Sequence, residues 1–356
     1  MDFFKLAPSV WTQLQSETRP IVLYGMGDGA DKILDRFDLL GIRASGVFAS
    51  DAFVRGHSFR GFRVKKLSET VDELGEGIVI VIAFATQRPE VLDMMYALDA
   101  RFTVVAPDVP VVSGPVFDTD FARAHQDELE RAYALLADER SKQVFVDTVR
   151  FKLSGRLCYL RESQTDKDEI FRSVLRLIKH EHFADLGAYT GDTIREMLRY
   201  TGGAFGSITA LEPDQRSFRK LSAWTEQHLV GAVELVQAGA WCKDGAMRFS
   251  DQAGRQSHVA AQGRETAVRT LDSVLAGRPC TYLKMDVEGA EREAIYGAAQ
   301  TIRRCRPKLN IAVYHRSADF FQLPLLIHAL CPDYRLYLRH HPYVPAWDTN
   351  LYAVCK

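Results

Sequence analysis

A short run of small and acidic residues could do chemistry first. Asp185, Gly187, Ala188, Gly191 and Thr193 follow the apolar stretch His182-Phe183-Ala184 and precede the helical pattern Ile194 to Leu198. A strand, a glycine-rich turn and a helix in that order let a ligand approach bare backbone at a helix N-terminus. The leading carboxylate decides the sign of that ligand. Asp185 would repel a pyrophosphate and suits a cation, so the turn reads as a site for S-adenosyl-L-methionine (SAM), whose sulfonium and amino group are positive, rather than for NAD.

Further acids fall where such a site needs them. Open α/β sheets bind ligands at the carboxyl ends of their strands. The strand Ser207 to Leu211 ends at Glu212, about 20 residues past the glycines, where an acid commonly holds a ribose diol. The strand Val233 to Val236 leads to Gly239, Ala240 and Trp241, whose small residues leave room for an adenine ring. The strand Tyr282 to Met285 ends at Asp286, followed by Glu288 and Glu291, and the strand Leu309 to Tyr314 ends at His315. Were a cofactor held there to give its methyl to a hydroxyl, the transfer would need in-line placement and a base for the hydroxyl proton. Asp286, His315, His340 and His341 are the candidates. His315 is assigned as the base, with Asp286 orienting it or the substrate. His340, His341 and Trp347, in a proline-containing loop, are the candidate acceptor contacts, and residues 251 to 266 and 339 to 349 the expected acceptor loops. Asp286, Glu288 and His315 are also of types that hold Mg²⁺ or Mn²⁺, but no ligand spacing demands it and no resident metal is expected.

The elements that must position these residues divide the chain. Its 356 residues suffice for two domains. Strands at Pro20 to Tyr24, Ser45 to Ala49, Ile78 to Ala83 and Thr103 to Ala106 alternate with helical stretches, predicting a Rossmann-like α/β unit over residues 1–115. Leu129, Ala132, Leu135 and Leu136 recur at helical spacing in a connector spanning 116–158. The second unit, 159–356, closes with strands at Tyr334 to Leu338 and Leu351 to Val354, an antiparallel pair on an otherwise parallel, seven-stranded sheet. In the first unit Gly25, Gly27 and Ala30 follow a strand, with Asp51 about 20 residues on, which is a weak dinucleotide fingerprint. It reads equally as a grip for a nucleotide or nucleotide-linked sugar and as a module kept for packing or homo-oligomerisation.

Asp185 to Thr193, Leu211-Glu212-Pro213, Leu271-Asp272-Ser273 and Lys284-Met285-Asp286-Val287-Glu288-Gly289-Ala290-Glu291 occur in the order that resembles the FkbM family of SAM-dependent methyltransferases. The resemblance covers roughly residues 160 to 356 and is most specific in the last motif. It implies a class I methyltransferase fold and methylation of hydroxyl oxygens on sugars and natural products. N- and C-methylation stay open. An NAD-dependent oxidoreductase working through the first unit falls behind, lacking a Tyr-x-x-x-Lys after the third strand. A non-catalytic SAM- or nucleotide-sensing scaffold is the third class.

Composition bounds the setting. A hydrophobic content of 47% predicts buried cores, and 45 basic against 46 acidic residues, net −1, gives no support for nucleic-acid or anionic-membrane partners. Six scattered cysteines with no C-x-x-C argue against zinc or a disulfide framework. Met1 to Leu6 lacks the order of a secretory signal and no apolar run reaches about 18 residues, so a cytoplasmic protein is expected.

Overall fold

The computed structural model describes residues 8–112, 114–249 and 264–355, as two α/β units joined by helices. In the first unit the strands are β1 (Ile21–Tyr24), β2 (Gly46–Phe48), β3 (Ser58–Phe59), β4 (Phe62–Lys65), β5 (Val79–Ile82) and β6 (Thr103–Val105), in the order β3-β4-β2-β1-β5-β6. All pairings are parallel except β3 with β4. β1 and β5 are buried at every position. That explains their unbroken apolar runs, since a parallel strand covered on both faces has no polar side to alternate. One face packs under the helices Val10–Gln15 and Asp28–Leu40.

The second unit is built on β7 (His182–Leu186), β8 (Ser207–Leu211) and β9 (Val233–Val236). It continues through β10 (Gly239–Ala240), β11 (Gly245–Phe249), β12 (Arg264–Arg269), β13 (Tyr282–Met285), β14 (Lys308–Ala312), β15 (Tyr334–His340) and β16 (Thr349–Cys355). Seven of these form one sheet in the order β15-β16-β14-β13-β7-β8-β9. Only β16 runs antiparallel to its neighbours, so the expected closing pair is present. A three-stranded sheet, β10-β12-β11, was not anticipated. It takes residues 264–266 of the expected first acceptor loop, and residues 251–263 lie outside the described residues. Met1 to Leu6 do too.

The connector helices belong to the second core. Phe145, Val149 and Leu153 of the helix Glu139–Ser154 pack with Leu309, Ile311 and Phe320. Phe151 of the same helix turns the other way and joins Ile80 and Ile82 of the first sheet. The two units are also pinned by polar contacts. Thr86 and Val344 exchange backbone hydrogen bonds of 2.8 and 3.0 Å, and the Val111 N–H donates to the His315 carbonyl at 3.1 Å. Lys152 Nζ donates to Asp108 Oδ2 at 2.6 Å, both side chains at most 4% exposed. Among the described residues no helix is long and apolar enough to cross a membrane, and all six cysteines are free.

Breaking a buried ion pair from one side strands the other charge, at a cost of about 3–5 kcal/mol, whereas replacing both partners by apolar groups is often neutral. Lys152→Met is therefore expected to lower the urea unfolding midpoint strongly, and the double change Lys152→Met with Asp108→Leu to restore most of it.

Candidate active site

The carboxyl ends of both sheets face one cavity of about 850 Å³. The first unit contributes Met26, Gly29, Lys32, Phe84 and Gln87. The second contributes Gly187, Tyr189, Thr193, Glu212, Gly239, Ala240 and Asp286.

The turn after β7 is held by a close backbone approach. Gly187 has φ +82°, and a Cβ there would lie 1.9 Å from the carbonyl oxygen of Asp286. Gly187 and Ala188 both donate to the Leu211 carbonyl at 3.0 Å, which draws the turn over the end of β8. Glu212 is fixed next to it. Its Oε2 accepts from the Tyr189 N–H and its Oε1 from the Asp214 N–H, each at 2.8 Å, and each oxygen keeps accepting capacity. Burial pushes the Glu212 carboxyl up to about 7. The Asp214 and Tyr189 N–H groups pull against that shift, while the charges of Asp214 and Asp185 add to it.

Asp185 is placed differently from the expectation. It is completely buried and forms no part of the cavity wall. Its Oδ1 is 3.7 Å from Lys284 Nζ, and that lysine, which lines the cavity, also donates to the Gly187 carbonyl at 3.3 Å. Burial raises the Asp185 carboxyl to about 7, with Lys284 opposing. The cavity thus meets a Lys284–Asp185 pair instead of a bare carboxylate. The cationic preference comes from elsewhere. Asp28, Asp192, Glu196, Glu212, Asp286, Glu288 and Asp348 line the cavity against Lys32, Lys167 and Lys284. Such a wall favours positive ligands and repels a diphosphate.

Asp286 and His315 come together as expected, but in a larger cluster. His315 is 1% exposed. Its Nε2 is 3.4 Å from both Asp286 Oδ1 and Glu288 Oε2, and its Nδ1 is 2.9 Å from Glu291 Oε1. That last contact is ionic, its angle being poor for a hydrogen bond. Burial alone would lower the imidazole's pKa, yet the carboxylates of Glu291 and Glu288 win and raise it well above the usual value. Both ring nitrogens face carboxylates that favour the protonated ring, so His315 borders the cavity as a cation and not as the expected base. Asp286, one-third exposed and receiving the Tyr314 hydroxyl at 3.3 Å, is the accessible group.

Other expected contacts lie apart. His340 and His341 are fully buried: His340 Nδ1 meets Thr349 Oγ1 at 3.0 Å, and His341 meets the Thr165 carbonyl at 2.8 Å and the Tyr352 hydroxyl at 2.7 Å. Burial holds the His340 imidazole down at about 4. Both are packing residues, since β15 extends through His340 and carries the pair inside. Trp347 does line the cavity. Trp241 does not; its backbone N–H pairs with the Arg269 carbonyl at 2.9 Å. Gly191, with φ +84°, caps the helix Asp192–Thr201 against Leu221 and Trp224, and Ala188 is core. In the first unit Gly25 packs on Phe84 while a Cβ on Gly27 would meet open space. Ala30 is core, and Asp51 is exposed outside the cavity, 3.3 Å from Lys66 Nζ.

Lys167, Glu196 and Asp348 were missed. They form a cavity-side group, with Lys167 Nζ 3.5 Å from each carboxylate. No strand end marks them. Asn310 and Asn350 were also missed, although a polar residue inside an apolar strand was a legible cue.

A parallel sheet closed by an antiparallel pair, with an acid-rich crevice at the carboxyl ends of its strands, defines a methyltransferase-type fold. Residues 185–345 match the family model for the methyltransferase FkbM domain, and the chain carries an FkbM-type SAM-dependent methyltransferase domain. The chain resembles the crystal structure of methyltransferase FkbM from Methylobacillus flagellatus KT over 99% of its own length and 93% of that chain, with a TM-score of 0.72 and 20% identity. Weaker likenesses include an rRNA methylase from Streptococcus thermophilus (TM-score 0.33, 13% identity, 51% of this chain and 89% of that one). A second is a putative methyltransferase from Streptococcus mutans in complex with SAH (0.36, 10%, 54% and 99%). No curated protein matches.

The raised Glu212 pKa has a consequence for stability. The unfolded chain ionises this group near 4.5, the folded protein near 7. Its contribution is therefore complete below about 4.5 and is lost as pH rises to about 7. Urea midpoints measured across that window should fall less steeply in Glu212→Gln than in the wild type.

Proposed function

We propose that the protein transfers a methyl group from SAM to a hydroxyl of a sugar or glycan. The observation that carries this reading is the acid-rich cavity between the two sheets, with Glu212 and Asp286 on one wall. When bound, SAM supplies an electrophilic methyl on a sulfonium. The residues fit that group: Glu212 is fixed by two backbone N–H groups and keeps accepting capacity for a diol, Gly239 and Ala240 leave the wall open for a base ring, and the carboxylates suit positive charge.

Asp286 is the proton acceptor for the hydroxyl. It is the accessible carboxylate of its cluster, oriented by the Tyr314 hydroxyl and backed by His315. The Lys284–Asp185 pair offsets the buried carboxylate beside the turn. The first unit supplies the acceptor side through Gln87, Phe84 and Met26, with Trp347 from the second. Because Asp28 opens the helix at its glycine turn, that turn is a poor phosphate site, and acceptors without a diphosphate are favoured. The test is tritium transfer from methyl-labelled SAM to a panel of free sugars, oligosaccharides and nucleotide-linked sugars, with NMR of the product. An O-methyl sugar supports the reading, and methyl on nitrogen or carbon, or no transfer to any hydroxyl, refutes it.

Two variants separate the roles. Asp286→Asn is expected to lower kcat by about 10²–10⁴-fold while the affinity for S-adenosylhomocysteine, measured by calorimetry, stays within a few-fold. Glu212→Ala should weaken that affinity by about 1.5–3 kcal/mol, the worth of hydrogen bonds to a charged group.

A further inference from the structure

We propose that Asp286, Glu288 and His315 form a binding site for a divalent cation, Mg²⁺ or Mn²⁺ by its donor set, on the wall of the cavity. One atom from each residue lies within 4.8 Å of the others. The three converge instead of pairing. Both carboxylates approach the same imidazole nitrogen at 3.4 Å, longer than the roughly 2.7–2.9 Å of a charge-assisted hydrogen bond. Donors at right angles around a cation with bonds of about 2.1–2.4 Å are about 3.0–3.4 Å apart. The two nitrogen–oxygen spacings are those of cis ligands.

The surroundings have the form of a built metal site. Behind the imidazole, Glu291 faces Nδ1 at 2.9 Å and is itself fully buried. Its Oε1 also receives the Val287 N–H at 2.9 Å and the Gly289 N–H at 3.4 Å, so the carboxylate cannot swing away. The negative charge of Glu291 behind the imidazole raises the ring's basicity toward a metal. Glu288 is held at φ +52°, a conformation that costs a non-glycine residue energy and that recurs at functional sites. Charge agrees as well. Asp286, Glu288 and Glu291 surround one imidazole, and Asp319 adds a further nearby carboxylate. The neighbouring cations are already engaged: Lys284, 3.9 Å from Asp286 Oδ2, is shared with Asp185, and Arg316 Nε donates to the Gly289 carbonyl. Two carboxylates and one imidazole suit a hard or borderline cation better than a thiophilic one. Since Asp286 and Glu288 line the cavity, remaining coordination positions open toward the acceptor side, where a bound hydroxyl would lose its proton more readily. That role rests on the proposed methyl transfer; the binding of the ion does not.

The experiment uses the full chain, stripped with EDTA and dialysed, with neither SAM nor acceptor present. Titration with MnCl₂, followed by the electron paramagnetic resonance of free Mn²⁺ and by calorimetry, is expected to give one ion per chain, displaced by Mg²⁺. Glu288→Gln should weaken binding at least tenfold with circular dichroism unchanged. In the wild type, Mn²⁺ should broaden the ring resonances of one buried histidine, a readout that needs no variant to fold. No saturable binding up to millimolar Mn²⁺, unchanged affinity in a folded Glu288→Gln protein, or unbroadened histidine resonances overturn the site. Ion binding without methyl transfer would refute the proposed function and leave the site standing.

Discussion

The absence of a side chain at position 187 is the constraint on which the site depends. β7 and β13 are neighbours in the sheet, with Leu186 opposite Met285, so the turns leaving both strands compete for the same space. They share it because Gly187 adopts a positive φ and lies against the carbonyl of Asp286. The shared packing sets the position of the Asp286 backbone, and the same turn donates to the end of β8, where Glu212 begins. One contact thereby ties the position of Glu212 to that of Asp286. A larger residue at 187 would displace both together.

Charge is the second organising feature, and it works by number more than by any one group. A single buried carboxylate such as Asp185 is largely cancelled by Lys284, and burial leaves it ready to accept a proton. Seven carboxylates against three lysines and the His315 imidazole on the cavity wall cannot all be cancelled locally. Sharing a confined space of low polarity raises the affinity for any cation that enters. Sulfonium, ammonium and divalent metal ions are all served by such a wall, whereas pyrophosphate is penalised. The electrostatics therefore discriminate between the two kinds of nucleotide ligand that a glycine turn alone leaves equivalent.

The fold was legible because buried parallel strands announce themselves as unbroken apolar runs, as Ile78 to Ala83 does. The site was legible at strand ends: Glu212, Gly239, Ala240, Asp286 and His315 reach the cavity as their positions imply. Errors arose where a side chain's direction depends on partners far away in sequence. His340 and His341 looked like loop residues, but β15 pairs with β16 through the His340–Thr349 register, and that pairing carries both rings into the core. Asp51 has the right separation from its glycines, yet the short helix Asp51–Phe53 turns it to solvent. Lys167 belongs to no strand end and joins the wall only because Glu196 and Asp348 converge on it from different elements. Spacing encodes which residues end a strand; it does not encode which of them the tertiary fold will aim inward.

The first unit follows from the same reasoning. It could have been an appendage, folded independently and tethered by helices. Its contacts argue otherwise. The Val111 N–H is bonded to the carbonyl of His315, the Ser317 hydroxyl to the carbonyl of Pro115, and Thr86 exchanges backbone bonds with Val344 beside the cavity. These partners lie next to the end of β14 and in the loop that carries Trp347. A displacement of the first unit would therefore pull on the backbone of the carboxylate–imidazole cluster as well as open the cavity. The sheet of the first unit forms the other half of one crevice and contributes shape and anchorage to it.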